Sequence, residues 1–239
     1  MKRFSIAVAV VAIVAGMPGL WSSVEAAVVT VALNADRDNY LLETSGFQDF
    51  NDGAFNRLFM QNNTNNRFRT LVGFEPLPGG LTSALIGSAV VRVELKQAPG
   101  DSDTIEVRAL TQDWTELGST WNTYDGSNAW PGGAGALGDT GAVLDTEVLT
   151  GIVQPDDTFI DFDVTSAVKD WADGTPNYGV LFNSIRPTDA GASTEFWARE
   201  SDQTGPQLII EVVPEPASVA LTLLGVGAMA CRRRRGTCE

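Results

Sequence analysis

Between residues 89 and 96 the chain reads AVVRVELK, in which Val91, Val93 and Leu95 alternate with Arg92, Glu94 and Lys96. Side chains on an extended strand point to opposite faces in turn, so this stretch has one dry face and one wet face. A helix would scatter the same residues around its circumference. The pattern recurs in VVTVAL (28–33), NYLLE (39–43), RLFMQ (57–61), RFRTLVGFE (67–75), TIEVRALT (104–111), FIDFDV (159–164), YGVLF (178–182), TEFWAR (194–199) and QLIIEVV (207–213). Gly, Pro, Asn and Asp fill the gaps, as in EPLPGG and QAPGDSD. About ten half-buried strands must hide their apolar faces against one another, which predicts an all-β, antiparallel sandwich.

One segment departs from period two. DVTSAVKDWADG (163–174) places Val164, Ala167, Val168 and Trp171 at helical spacing, with Asp163 or Thr165 as N-cap and Gly174 as the stop, and predicts one short helix. NAWPGGAGALGDTGA (128–142) is Gly-rich and reads as a flexible loop rather than a core element.

The two ends read differently from the middle. Lys2 and Arg3 precede an apolar run from Ile6 to Ala15, and Val24-Glu25-Ala26 offers small residues at an exit, so residues 1–26 read as a secretory signal peptide. At the other end Pro214-Glu215-Pro216 is followed by an uncharged stretch, 217–231, and then by Arg232, Arg233, Arg234 and Arg235. The stretch is shorter than the roughly 20 residues a permanent anchor needs, and the arginines would stay on the cytoplasmic side. This order resembles the PEP-CTERM sorting signal of Gram-negative bacteria. The resemblance implies a transmembrane helix that holds the chain until a membrane-embedded exosortase processes it, and export in cells that make extracellular polysaccharide. The expected organisation is therefore a leader (1–26), one domain (27–213) and a sorting segment (214–239).

Segment 27–213 holds 10 Lys+Arg against 27 Asp+Glu, a balance of −17. Such a surface repels phosphate backbones and argues against a nucleic-acid partner. The chain has no histidine, which excludes a Ser-His-Asp or Cys-His hydrolase. Both cysteines, Cys231 and Cys238, lie in the sorting segment, so the domain has no disulfide and no thiolate for zinc. No Gly-rich phosphate loop follows a strand.

Three islands resemble a known module: LTQDWTELGSTWNTYDG (110–126), FDVTSAVKDWADGTPNYGVLF (162–182) and FWARESDQTGPQLIIEV (196–212). Their order and spacing are similar to the DNRLRE domain, an extracellular module related to a carbohydrate-binding module family. The resemblance implies a jelly-roll sandwich and, in some relatives, glycan binding.

Several residues invite functional readings. Trp130, flanked by Ala129 and Pro131 in the Gly-rich loop, is a candidate sugar platform, with Tyr124 and Asp125 as candidate hydrogen-bonding partners for hydroxyls. Trp114, Trp121, Trp171 and Trp197 read as packing residues. Asn34, Asp36 and Asp38 alternate as in an EF-hand, but Asn39 and Ser45 stand where that loop requires Gly and Glu. Asp101 with Asp103, Asp156 with Asp157, and Asp161 with Asp163 are further acidic pairs. Together they make a structural Ca²⁺ an expectation without assigned ligands, and no other cofactor is expected. Asp113 with Glu116, or Glu195 with Glu200, would be needed for a glycosidase, which is the minority expectation beside a non-catalytic protein that meets extracellular polysaccharide.

Overall fold

The computed structural model describes residues 28–100, 102–149, 158–187 and 193–213. In chain order its strands are β1 (Val29–Leu42), β2 (Arg57–Asn63), β3 (Asn66–Phe74), β4 (Ile86–Gln97), β5 (Asp103–Leu110), β6 (Thr140–Leu149), β7 (Phe159–Asp163), β8 (Val180–Ser184), β9 (Thr194–Trp197) and β10 (Gln207–Val212). One helix, α1 (Thr165–Ala172), lies between β7 and β8. All the pairings are antiparallel.

The strands form two layers. The first comprises the start of β1, then β10, β4 and β7, and the second comprises the remainder of β1, then β3, β8, β5 and β6. β1 serves both because its register shifts between Ala35 and Arg37, where it leaves β10 and takes up β3. A bulge of this kind bends a strand and lets it turn from one sheet into the other. On the opposite flank β2 pairs with β3 and β9, and β9 reaches the end of β4. The chain crosses repeatedly between layers, and the antiparallel sandwich predicted from period two is the observed architecture.

The alternation now has its physical meaning. Val91 and Val93 from β4, Leu208 and Ile210 from β10, and Phe162 from β7 face Val72 from β3, Val180 and Phe182 from β8, and Ile105 and Val107 from β5. Phe162, Phe182 and Phe196 meet edge to face, with ring centroids 5.1 to 6.3 Å apart. Each fully buried apolar side chain of this size contributes about 1.5–3 kcal/mol. Ala167, Val168 and Trp171 of α1 join this core. The helix lies where expected, but its N-cap is Val164 and neither Asp163 nor Thr165, and no side chain caps it. The Thr165 N–H donates instead to Asp163 Oδ1 at 2.8 Å, and the Thr165 hydroxyl oxygen accepts from the Ala89 N–H at 2.9 Å. Gly174, at φ 105, ends it.

A second core occupies the outer face of the second layer. Leu41, Leu71 and Leu181 point away from the sandwich and are covered by Trp114, Trp121, Trp130 and Ala136. The covering chain is the long excursion between β5 and β6, so the Gly-rich stretch is a packed lid and not the flexible loop expected.

The expected transmembrane helix requires correction. Among the described residues α1, with 8 residues, is the only α-helix, and no helix is long and apolar enough to cross a membrane. The stretch 217–231 lies outside the described residues, as do the leader 1–26, Pro214, Glu215, Pro216 and Arg232 to Arg235.

Candidate functional site

β3 is built as RFRTLVGF, so Arg67, Arg69, Leu71 and Gly73 share its outer face. The Arg69 guanidinium lies 4.9 Å from the Trp121 ring centroid, donates to Asn183 Oδ1 at 3.0 Å and to the Gly135 carbonyl at 2.7 Å. Burial holds its pKa down, at about 10. Arg67 sits 5.5 Å from the same ring and pairs with Glu43, while Arg37 from β1 lies 4.7 Å from the Trp114 ring and donates to the Trp114 carbonyl. Gly73 makes the last contact possible, because a Cβ there would collide with the Arg37 side chain. The tryptophans are thus clamped between arginines and leucines.

Trp130 joins the same apolar cluster over the leucines. It is 3% exposed, and its indole N–H donates to the Thr120 carbonyl at 2.9 Å. The reading of Trp130 as an exposed platform is therefore corrected: the loop folds back and spends its indole face on packing. Tyr124 does lie beside it, ring centroids 6.0 Å apart at 64°, half-buried. The Asp125 carboxylate accepts from the Ser127 and Asn128 N–H groups and the Asn128 amide, bonds that lower its pKa and shape a turn. Trp114 and Trp171 are buried as expected; Trp197 is only half-buried, with Lys96 Nζ 5.7 Å from its ring.

The carboxylates rearrange themselves into a group the sequence pairs did not predict. Asp113 goes to Arg37, and Glu195 to Arg57 and Lys96. Asp161 pairs with Arg92 through both oxygens at 2.7 Å, and Asp103 accepts from the hydroxyls of Ser184 and Thr194. Asp101, Asp156 and Asp157 lie outside the described residues. Asp38, Glu116 and Glu200 instead converge, with one oxygen from each within 4.8 Å of the others. The site forms where β1 has left β10 and its edge is open. Glu116 Oε1 accepts the Asp38 N–H at 2.9 Å, and Asp38 Oδ2 accepts the Arg199 N–H at 2.8 Å. The Arg199 side chain donates to both Glu116 oxygens at 2.8 Å and pairs with Glu200.

Asp38 is buried, and burial pushes its carboxyl up to about 8; the charges of Glu200 and Glu116 add to the rise, against the Arg199 N–H. Burial also raises Glu200. Asp38 and Glu200 therefore titrate as a pair that holds a proton between them at neutral pH. Three carboxylates this close can hold a metal ion in common, although Arg199 already answers part of their charge. A shallow depression of about 290 Å³ adjoins the group, lined by Asn34, Ala35, Arg199, Gly205, Pro206 and Gln207.

The alternation Asn34, Asp36, Asp38 is not an EF-hand, and nothing in its spacing signals that Asp38 alone meets acids from remote loops. In FQDFNDGAF, Phe47, Phe50 and Phe55 are aromatics without alternation in an Asn/Asp/Gly setting, a signal for a loop with exposed rings that the period-two pattern does not capture.

Residues 212–235 match the PEP-CTERM protein-sorting motif. The match begins at Val212, the last residue of β10, so the signal starts on the sheet itself. It supports a secreted or cell-surface protein of the kind exosortases process. No curated protein matches the chain.

Proposed function

We propose that the chain is a non-catalytic protein of the cell surface or extracellular matrix, whose sandwich associates with extracellular polysaccharide after exosortase processing. The sorting motif at 212–235 carries this reading, since it joins a self-contained β-sandwich to an export route. The resemblance of three islands to DNRLRE modules supports the polysaccharide partner. The carboxylates that a glycosidase would need are engaged instead by arginines, a lysine and backbone N–H groups, which favours binding over hydrolysis. Affinity electrophoresis of the full chain through gels containing the host's own exopolysaccharide tests the reading: retardation is expected, and migration equal to that in a blank gel refutes it. Release of reducing ends from the same polymer would overturn the non-catalytic part.

The calcium expectation attaches to Asp38, Glu116 and Glu200. If an ion replaces the shared proton there, millimolar Ca²⁺ raises the thermal midpoint and a chelator reverses it. An unmoved midpoint removes the ion from the account.

A further inference from the structure

Four large apolar side chains left over by both cores stand on two loops that are tied together. Phe47, Phe50 and Phe55, on the loop between β1 and β2, are 50%, 58% and 39% exposed, and Leu117, on the excursion after β5, is 71% exposed. The Phe47 and Phe50 rings lie 5.9 Å apart, tilted by 59°. Phe55 stacks on Phe59 at 6.2 Å, with the Arg57 guanidinium 5.2 Å from its centroid. The first loop turns on its own backbone, Phe50 N–H to the Phe47 carbonyl and Phe55 N–H to the Asp52 carbonyl, both at 2.9 Å. The Asn51 amide donates to the carbonyls of Glu116 and Ser119 at 2.6 and 2.7 Å, and the Asn122 amide to Asp49 Oδ1 at 2.8 Å. Gly53 fits so closely under Glu116 that a Cβ would strike its carbonyl. The rings are therefore displayed on a braced support.

We propose that Phe47, Phe50, Phe55 and Leu117 form the contact surface for a neutral polysaccharide. This rests on the reading above that the sandwich meets extracellular glycan, and it moves the contact from Trp130 to these two loops. Three considerations select the occupant. The exposed apolar area is roughly 300–400 Å², while a stable protein interface takes about 800 Å² from each partner, so a second copy of the chain is poorly served. Aromatic faces suit the C–H faces of sugar rings, and the exposed Asp49 carboxylate borders them with lone pairs that suit hydroxyls. The border carries Asp49 and Asp52 against Arg57, with Glu116 paired to Arg199, and the domain as a whole carries 27 Asp+Glu against 10 Lys+Arg, a balance that disfavours a polyanion. Position agrees. Val29, at one end of β1, pairs with Val212, where the sorting motif begins, and the loop bearing Phe47 leaves the other end. Fourteen extended residues, bent at the bulge, put at most about 40 Å between those ends, and the loop departs from the opposite end of the strand to the signal.

The test is affinity electrophoresis of the full chain through gels containing laminarin, glucomannan or dextran, with alginate as the polyanion. At least one neutral polymer should retard the chain, and Phe47→Ser/Phe50→Ser should weaken that retardation about tenfold with an unchanged thermal midpoint. Leu117→Ser, on the other loop, should weaken it independently and guards against a folding defect in the double variant. Retardation by a neutral polymer that survives all these changes overturns the inference, as does retardation by alginate alone, or a dimer in sedimentation that Phe50→Ser dissolves. Absence of retardation by all four polymers overturns it too. The gel with the host's exopolysaccharide then decides separately whether the broader polysaccharide reading also falls.

Discussion

Burial makes folding and the charge of Asp38 compete near neutral pH. Unfolded, Asp38 ionises near the ordinary 3.8, while in the sandwich it holds its proton to about 8. Between those values the native state binds the proton and the unfolded chain does not, so this group's contribution to stability falls as pH rises, and levels off above about 8. Asp38→Asn copies the protonated acid: it accepts the Arg199 N–H and donates toward Glu200. Its advantage over the parent should therefore grow from pH 5 to pH 8, read as the difference between urea midpoints in metal-free buffer. A difference independent of pH would show that the carboxyl is ionised in the fold. Trp130 acts in the opposite sense, through bulk. Trp130→Ala removes a buried indole and orphans the Thr120 carbonyl, at a cost of about 3 kcal/mol in urea denaturation. A loss under about 1 kcal/mol would mean that the indole is not packed as described.

The lid after β5 depends on close backbone contact. Gly132 and Gly138 touch so nearly that a Cβ on either would collide with the other's backbone, and the Gly132 N–H is held by Asp139 Oδ1 at 2.8 Å. Gly138→Ala should spring the lid from Leu41, Leu71 and Leu181 while the main core stays intact. Limited proteolysis within 128–139 should accelerate at least about tenfold, the response of a local opening worth a little over 1 kcal/mol. Unchanged cleavage would show a lid held by its arginines alone. The lid also marks where the sequence stops being readable. Strands with one face inward, such as AVVRVELK, declare themselves by alternation, and β2, β3, β4, β5, β7 and β10 lie within a few residues of expectation. β6 is not legible in the alternation: TGAVLDTEVL carries adjacent apolar residues, and bulges opposite Val107 and Arg108 break its period of two. β1 reads as two strands, 28–33 and 39–43, because the bulge at Ala35 to Arg37 interrupts its pattern. Of the lid's tryptophans, Trp114 and Trp121 read as packing residues from the sequence, whereas Trp130 is assignable to packing only once the leucines beneath the lid are known, since Leu41 and Leu71 point outward from strands whose neighbours point in. Asp38, Glu116 and Glu200 lay beyond reach for the same reason, being joined by docking of loops and not by spacing.

β10 is the element that most of the molecule shares. It lies between β1 and β4 with Leu208 and Ile210 fully buried, and Val213 beyond it donates its N–H to the Leu85 carbonyl at 2.8 Å. Without it, β1 has no partner before the bulge and β4 loses its neighbour along the same half. The first layer would then present two long apolar edges, a condition that leads to aggregation. Because residues 207–213 are among the last of the domain, the first layer cannot close until nearly the whole domain exists, and its pairing of β1 with β10 spans most of the sequence. A chain ending at Val213 should therefore unfold cooperatively with a single midpoint, while one ending at Pro206 should show no cooperative transition and should aggregate. The comparison also bears on export. If the shorter chain folded, the sorting motif would begin on a dispensable strand; if it does not, Val212 is at once the last residue of the core and the first of the signal. Processing beyond Val213 then has to spare a strand on which the whole first layer depends.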